Sequence, residues 1–400
     1  MKKIIFTLLC ILPLFFIPLN ASQLDIGEDI DFEYRYIEYK KEVLSSEFRQ
    51  RIRLYLNGHL KENVEIGAQL HSAGIMNSTN TIVIYEGAKI DNLIPYFECA
   101  YIKINDYYNY PIAISIGKLP IKWVDGVLVN HNNLGLPSVL IEAEAPYGIN
   151  VEAFHCRTRN DLLDISGIKG TGIRAIKEFG FRRAEIDYMS ESYFSTQDVK
   201  RKVYGFNFTR NMHRGLEYNA FYYFMRGGIR GVPFSGRALG IYGKFEGVID
   251  PIGKGGAWIR YVMGTGDAND DERGFLPVLS SVEASYIGDY YGRYRNFRVI
   301  DKVLSDSVSL SHSIANLSVL RQALYATIKD ELSVFMIRST YKSHTPSLPL
   351  AGSLTFGGLY EYSFIDFELK YTVFAPEDNY NRYKGVRKVR FVTAVVSAKF

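Results

Sequence analysis

Val386-Arg-Lys-Val-Arg-Phe-Val-Thr-Ala-Val-Val-Ser-Ala-Lys-Phe400 closes the chain, and its pattern decides the fold class. In steps of two from the end, Ala398, Val396, Ala394 and Val392 form an apolar row. Lys399, Ser397, Thr393 and Arg387 interleave as small or polar residues, with Val395 and Phe391 as exceptions. A period of two predicts a strand, and about 10 residues of tilted strand cross a bilayer. As the edge of a soluble sheet, such a strand would expose an apolar face and an unpaired row of backbone groups. A closed barrel in lipid removes both difficulties.

The start of the chain agrees with its end. Met1-Lys-Lys is a basic n-region, Ile4 to Pro18 an apolar h-region, and Leu19-Asn-Ala-Ser22 supplies small residues for cleavage. Residues 1–22 therefore read as a secretory signal peptide and residues 23–400 as one barrel domain. Leu9 stands where a small residue would precede a lipidated Cys10, which argues against a lipoprotein. The strand ending on Phe400 resembles the C-terminal assembly signal of bacterial outer-membrane barrels. That resemblance implies recognition by the barrel-assembly machinery and a setting of outer-membrane lipid and lipopolysaccharide.

Composition narrows the function. Without Lys2 and Lys3 the chain holds 45 Lys and Arg against 43 Asp and Glu, so it lacks the basic excess of a nucleic-acid binder. The 30 Tyr and 25 Phe, against 2 Trp, suit aromatic girdles flanking a lipid-facing band. Beyond the signal peptide no apolar run reaches helix-spanning length, so any crossing is by strands. Cys99 and Cys156 are the two remaining cysteines, and spacing alone leaves their pairing open.

Alternation predicts the strands in order. Asp29–Tyr36 sets Ile30, Phe32, Tyr34 and Tyr36 against Asp31, Glu33 and Arg35, and Phe48–Gly58 sets Ile52, Leu54 and Leu56 against Arg49, Arg51 and Arg53. Asn63–Ser72, Tyr96–Ile104 and Pro111–Lys118 follow, then a long segment, 119–146, that could fold over or into a pore. Later strands are expected at Gly148–Thr158, Asp161–Ile168, Gly172–Phe179, Phe181–Ser190, Asp198–Thr209, Leu216–Met225, Arg237–Ile249 and Ala257–Gly264. After a second long segment, 265–313, come Asn316–Ile328, Glu331–Tyr341, Ser353–Ser363 and Ile365–Phe374. With the terminal strand the tally is eighteen (sixteen being the neighbouring even number). The expected fold is thus an all-β, antiparallel, up-and-down transmembrane β-barrel with short periplasmic turns and long extracellular loops.

Four patches resemble the alginate-export type of outer-membrane barrel: Arg51-Ile-Arg-Leu54; Phe97–Ile104 followed by Ile116–Trp123; Gly264-Thr-Gly-Asp267 with Phe275-Leu-Pro277; and Leu369–Asn379. The chain departs from that family where Lys118-Leu119 stand for Arg-Gln and where Glu377 stands for Gly. The resemblance implies a channel passing small anions or anionic polysaccharide. Candidate lumen residues are Arg35, Arg49, Arg51, Arg53, Lys118 and Lys370, with Asp31, Glu33 and Glu98 as acids beside them. Facing charges of both signs also fit a salt-bridged wall with no transport meaning, so a plugged structural or adhesive barrel is the alternative.

Enzymatic readings find little. G-x-S-x-G, H-E-x-x-H and C-x-x-C are absent. His131 and His312-Ser313 fall in expected loops. Asp267, Asn269 and Asp271 have the opening spacing of a calcium loop, but Glu272 replaces its glycine and Val278 its bidentate Glu. Neither metal nor cofactor is called for.

Overall fold

The computed structural model describes residues 23–39, 42–76, 83–85, 88–89, 96–124, 128–160, 165–193, 199–229, 232–251, 253–265, 317–329, 331–343, 349–376 and 389–399. The signal-peptide reading of 1–22, Phe400 and the segment 266–316 lie outside them.

The opening alternation produces β1 (Gln23–Tyr39), β2 (Glu42–Lys61) and β3 (Val64–Met76), each antiparallel to the one before. A small hairpin of β4 (Val83–Tyr85) and β5 (Ala88–Lys89) forms its own sheet. The main sheet resumes with β6 (Tyr96–Ile104), β7 (Ile112–Trp123), β8 (Val129–Ala145), β9 (Ile149–Asn160), β10 (Ile165–Phe179) and β11 (Arg182–Tyr193). Next are β12 (Val199–His213), β13 (Leu216–Ile229), β14 (Val232–Ile249), β15 (Gly253–Gly264) and β16 (Leu317–Ile328). The last four are β17 (Leu332–Ser343), β18 (Pro349–Tyr362), β19 (Ile365–Pro376) and β20 (Val389–Lys399). The terminal strand β20 pairs with both β19 and β1, placing Val396 opposite Phe32 and Ala398 opposite Ile30, so the 18-stranded antiparallel sheet closes on itself. Closure leaves no exposed edge.

Tight turns gather at the end of the barrel that carries the first and last strand termini. Tyr147 and Gly148 have φ of 66° and 64°, and Arg214 and Gly215 have 53° and 74°, the paired positive values of a hairpin turn matched to strand twist.

The strand count is as expected, but two compensating errors lie beneath it. The segment 119–146 is no long connection: β7 continues to Trp123 and β8 begins at Val129. Conversely, the described part of the expected strand Asp161–Ile168, from Ile165 on, and the expected strand Gly172–Phe179 belong to one strand, β10. Pro137 and the pair Asn132-Asn133 interrupt the period of β8, whereas Gly167, Gly170 and Gly172 remove the side chains that would display the period of β10. β9 and the first residues of β10 consequently run opposite to their expected directions.

One face of the sheet carries exposed apolar side chains, among them Ile26, Ile116, Ile186, Phe206, Ile241, Leu324, Phe356 and Leu369. The other carries Asp187, Glu191, Ser339, Thr355, Thr372 and Thr393, all buried against neighbours. Apolar outside and polar inside is the pattern of a barrel with lipid around it. Ile52 pairs with Ile30, Leu56 with Ile26 and Val392 with Tyr36, so the rows expected to face lipid share the outward parity of Phe32 and Tyr34.

Candidate functional site: the lumen and its constriction

The tip of the β7–β8 hairpin bends into the barrel. Leu119 pairs with Leu136, but Ile121 pairs with His131, so β8 holds three extra residues at this point. Gly135, at φ 52°, lies in the bulge and permits the bend. Beyond it Trp123, Leu128 and Val129 are almost fully buried. The Trp123 ring meets Phe154 of β9 edge-on at 4.9 Å, and the Arg174 guanidinium of β10 sits 4.9 Å from its centre. Gly172 lies beneath: a Cβ there would come within 2.4 Å of Phe154 and 2.8 Å of Trp123. The tip is thus seated on the inner wall, and it narrows the lumen on that side.

Arg174 in turn donates both Nε and Nη2 to Glu152, each at 2.9 Å. The wall it belongs to is rich in acids, most of them paired with arginines. Arg183 pairs with Glu185 at 2.5 Å and Arg201 with Glu191 at 2.7 Å, the latter pair deeply buried. Tyr223 reaches across β12 to donate its hydroxyl to Asp187, which is possible because Gly205 leaves room under the ring. Lys103 pairs with Glu142 at 2.8 Å, and both border a recess of about 470 Å³ at the short-turn end.

A different wall is formed by β14, β15 and β16. Arg260 and Arg321 stand directly opposite one another in register. Arg321 lies 5.5 Å from the centre of Trp258, whose ring is 6.4 Å from that of Tyr242. Lys244 sits 3.1 Å from Glu246 and 5.2 Å from the centre of Tyr325, and the Tyr325 hydroxyl donates to Glu246 at 2.6 Å. Glu246 is the single carboxylate on the inward parity of these three strands among the described residues, against Lys244, Lys254, Arg260 and Arg321.

The candidates named from sequence distribute as follows. Arg53 shares the inward parity of Tyr55, whose hydroxyl donates to Asp29 at 2.6 Å, and Arg53 is itself opposite Asp29. Backbone register sets Arg51 opposite Asp31, Arg49 opposite Glu33, and Arg35 opposite Glu47. Lys370 is inward and pairs with Glu368 at 2.6 Å. Lys118 departs from the expectation: it shares the parity of exposed Ile116, and its ammonium donates to the carbonyl of Phe97 at 2.8 Å, outside the lumen. Its sequence neighbour Leu119 takes the inward place instead, almost fully buried. Gln69 pairs with Cys99 and Leu70 with Phe97, so Glu98 is the extra residue of a bulge. Cys99 and Cys156 are both buried, on β6 and β9, and are not joined in a disulfide. His131 lies within β8 rather than in a loop, and residues 267, 269, 271 and 312–313 lie outside the described chain.

No family model and no curated protein matches the chain. Solved structures do. OccK5 (OpdH) of Pseudomonas aeruginosa superposes with a TM-score of 0.59 at 10% identity, covering 95% of this chain and 98% of that one. OccAB4 of Acinetobacter baumannii gives 0.60 at 8%, covering 96% and 99%. OpdK of Pseudomonas aeruginosa, solved with vanillate, gives 0.59 at 9%, covering 95% and 99%. The whole chain therefore shares the fold of these porin-like barrels, while resemblance to the alginate-export type rests on its sequence patches alone.

Proposed function

We propose that the barrel is an outer-membrane channel for small anionic solutes, its tight turns in the periplasm and its long connections outside. The observation that carries this is the opposition of Arg260 and Arg321 on the lumen wall, with Lys244 one strand away. Like charges directly opposite on adjacent strands are destabilising. Such a cluster of cations would draw an anion between or beside them, in a throat whose low-dielectric walls focus the potential. The guanidinium fork suits carboxylate recognition, and the vanillate bound by OpdK is a carboxylate. The inward hairpin tip favours small solutes over a polysaccharide chain, since it takes lumen space that a polymer would fill. That same tip supports the alternative, a plugged structural or adhesive barrel.

Reversal potentials of the purified protein in planar bilayers under a KCl gradient separate these readings. Anion selectivity is expected, and it should be largely lost in Arg260→Gln/Arg321→Gln. Cation selectivity in the parent would overturn the proposal. A folded barrel that carries no current would establish the plugged reading.

A further inference from the structure

On the outward face of β12 the sequence of positions is Lys202, Tyr204, Phe206, Phe208, Arg210. Lys202 and Arg210 are eight residues apart, about 27 Å along the strand and about 20 Å along a barrel axis tilted by roughly 40°. Lys169 and Lys177 bracket Thr171, Ile173 and Ala175 on β10 with the same spacing. The apolar band therefore ends sharply, with cations at both of its ends.

At the loop end, three cations gather at one place. Lys202 stands opposite Arg226, and Phe224 stands between Tyr204 and Arg237. The guanidiniums of Arg226 and Arg237 lie 5.0 and 5.9 Å from the centre of the Phe224 ring, which packs on Tyr204 at 5.3 Å. Lys202, Arg226 and Arg237 are all exposed. Among the described residues, no outward position of β10 to β14 is Asp or Glu. Three cations thus share a patch roughly 10 Å across, from strand spacing and rise. Below it lie exposed Ile186, Phe206 and Ile241.

We propose that this patch binds the phosphates of lipopolysaccharide, with acyl chains lying along Ile186, Phe206 and Ile241. A phosphorylated glycolipid with several chains matches both halves of the surface, charge at the rim and apolar contact beneath. Arg226 and Arg237, held on one aromatic ring, present forks already ordered for phosphate oxygens. The site rests on the membrane placement proposed above but not on solute passage.

The test titrates detergent-purified barrel with rough-type lipopolysaccharide and with the same glycolipid after removal of its phosphates, reading bound copies by native mass spectrometry. The parent should bind the phosphorylated form more than about tenfold tighter, as charge-assisted hydrogen bonds of this number allow. Lys202→Gln/Arg226→Gln/Arg237→Gln should lose that preference. Arg338→Gln/Lys342→Gln, which removes outward cations of β17 at the same end, should keep it. Equal binding of the two glycolipids by the parent, which needs no variant, overturns the site. So does a triple variant that keeps the preference, or a control that loses it equally. Conductance in neutral-lipid bilayers should be the same in parent and triple variant. A conducting barrel without phosphate preference therefore rejects this site alone, and a non-conducting one that retains the preference rejects only the channel.

Discussion

Tyr223 and Asp187 show how much of the inner wall depends on single residues. Tyr223 is fully buried and Asp187 1% exposed, and the phenol reaches the carboxylate only by crossing Gly205. A Cβ at Gly205 would lie 2.6 Å from that ring, so the glycine serves as a floor for an aromatic side chain. The same device recurs where Tyr101 covers Gly67 and Phe335 covers Gly357. Tyr223→Phe should leave a buried carboxylate without its donor and destabilise the barrel by about 1–3 kcal/mol. The urea midpoint of the protein refolded in vesicles would report this, and an unchanged midpoint would mean water replaces the phenol. Residue-scale features of this kind were only half legible. The inward parity of Arg53 follows from alternation around Ile52 and Leu54. Arg260 also alternates with Ile259 and Tyr261, yet its opposition to Arg321 depends on a register across 61 positions that no local pattern displays.

At the scale of elements, the β7–β8 hairpin separates what sequence discloses from what it conceals. Strands with clean alternation, such as β2, β16 and β20, were identifiable because the period of two survives on both faces. β8 was hidden by Pro137, in register opposite Lys118, and by the polar Asn132-Asn133 of the bulge that turns its tip inward. The feature that defines the constriction is thus the one that breaks the pattern. Trp123 holds the tip through Phe154 and Arg174. Trp123→Ala should remove about 3–5 kcal/mol of packing and release the tip from the wall. Single-channel recordings should then show larger conductance and more current noise than the parent. If both are unchanged, the tip is not what limits the current. Gly172→Ala should act in the same direction, since its Cβ would meet both rings.

For the whole molecule, selectivity is set by the sum of charge over all walls. The β9–β12 wall pairs Glu152, Glu185 and Glu191 with Arg174, Arg183 and Arg201, and gives Asp187 the hydroxyl of Tyr223. The β1–β2 wall sets Arg49, Arg51 and Arg53 opposite Glu33, Asp31 and Asp29. The inward faces of β14–β16 carry four cations against one carboxylate among the described residues, so two substitutions of similar size should have different effects. Asp31→Asn/Arg51→Gln removes one charge of each sign and should leave the reversal potential close to that of the parent. Arg260→Gln/Arg321→Gln removes two positive charges and should shift it toward cations. Screening adds a second criterion. The Debye length is about 10 Å at 0.1 M salt and about 3 Å at 1 M, so the shift should be large in dilute KCl and small in molar KCl. Were the Asp31/Arg51 variant to shift as far as the Arg260/Arg321 variant, the β1–β2 ladder would set the field, and the surplus on β14–β16 would be incidental to selectivity.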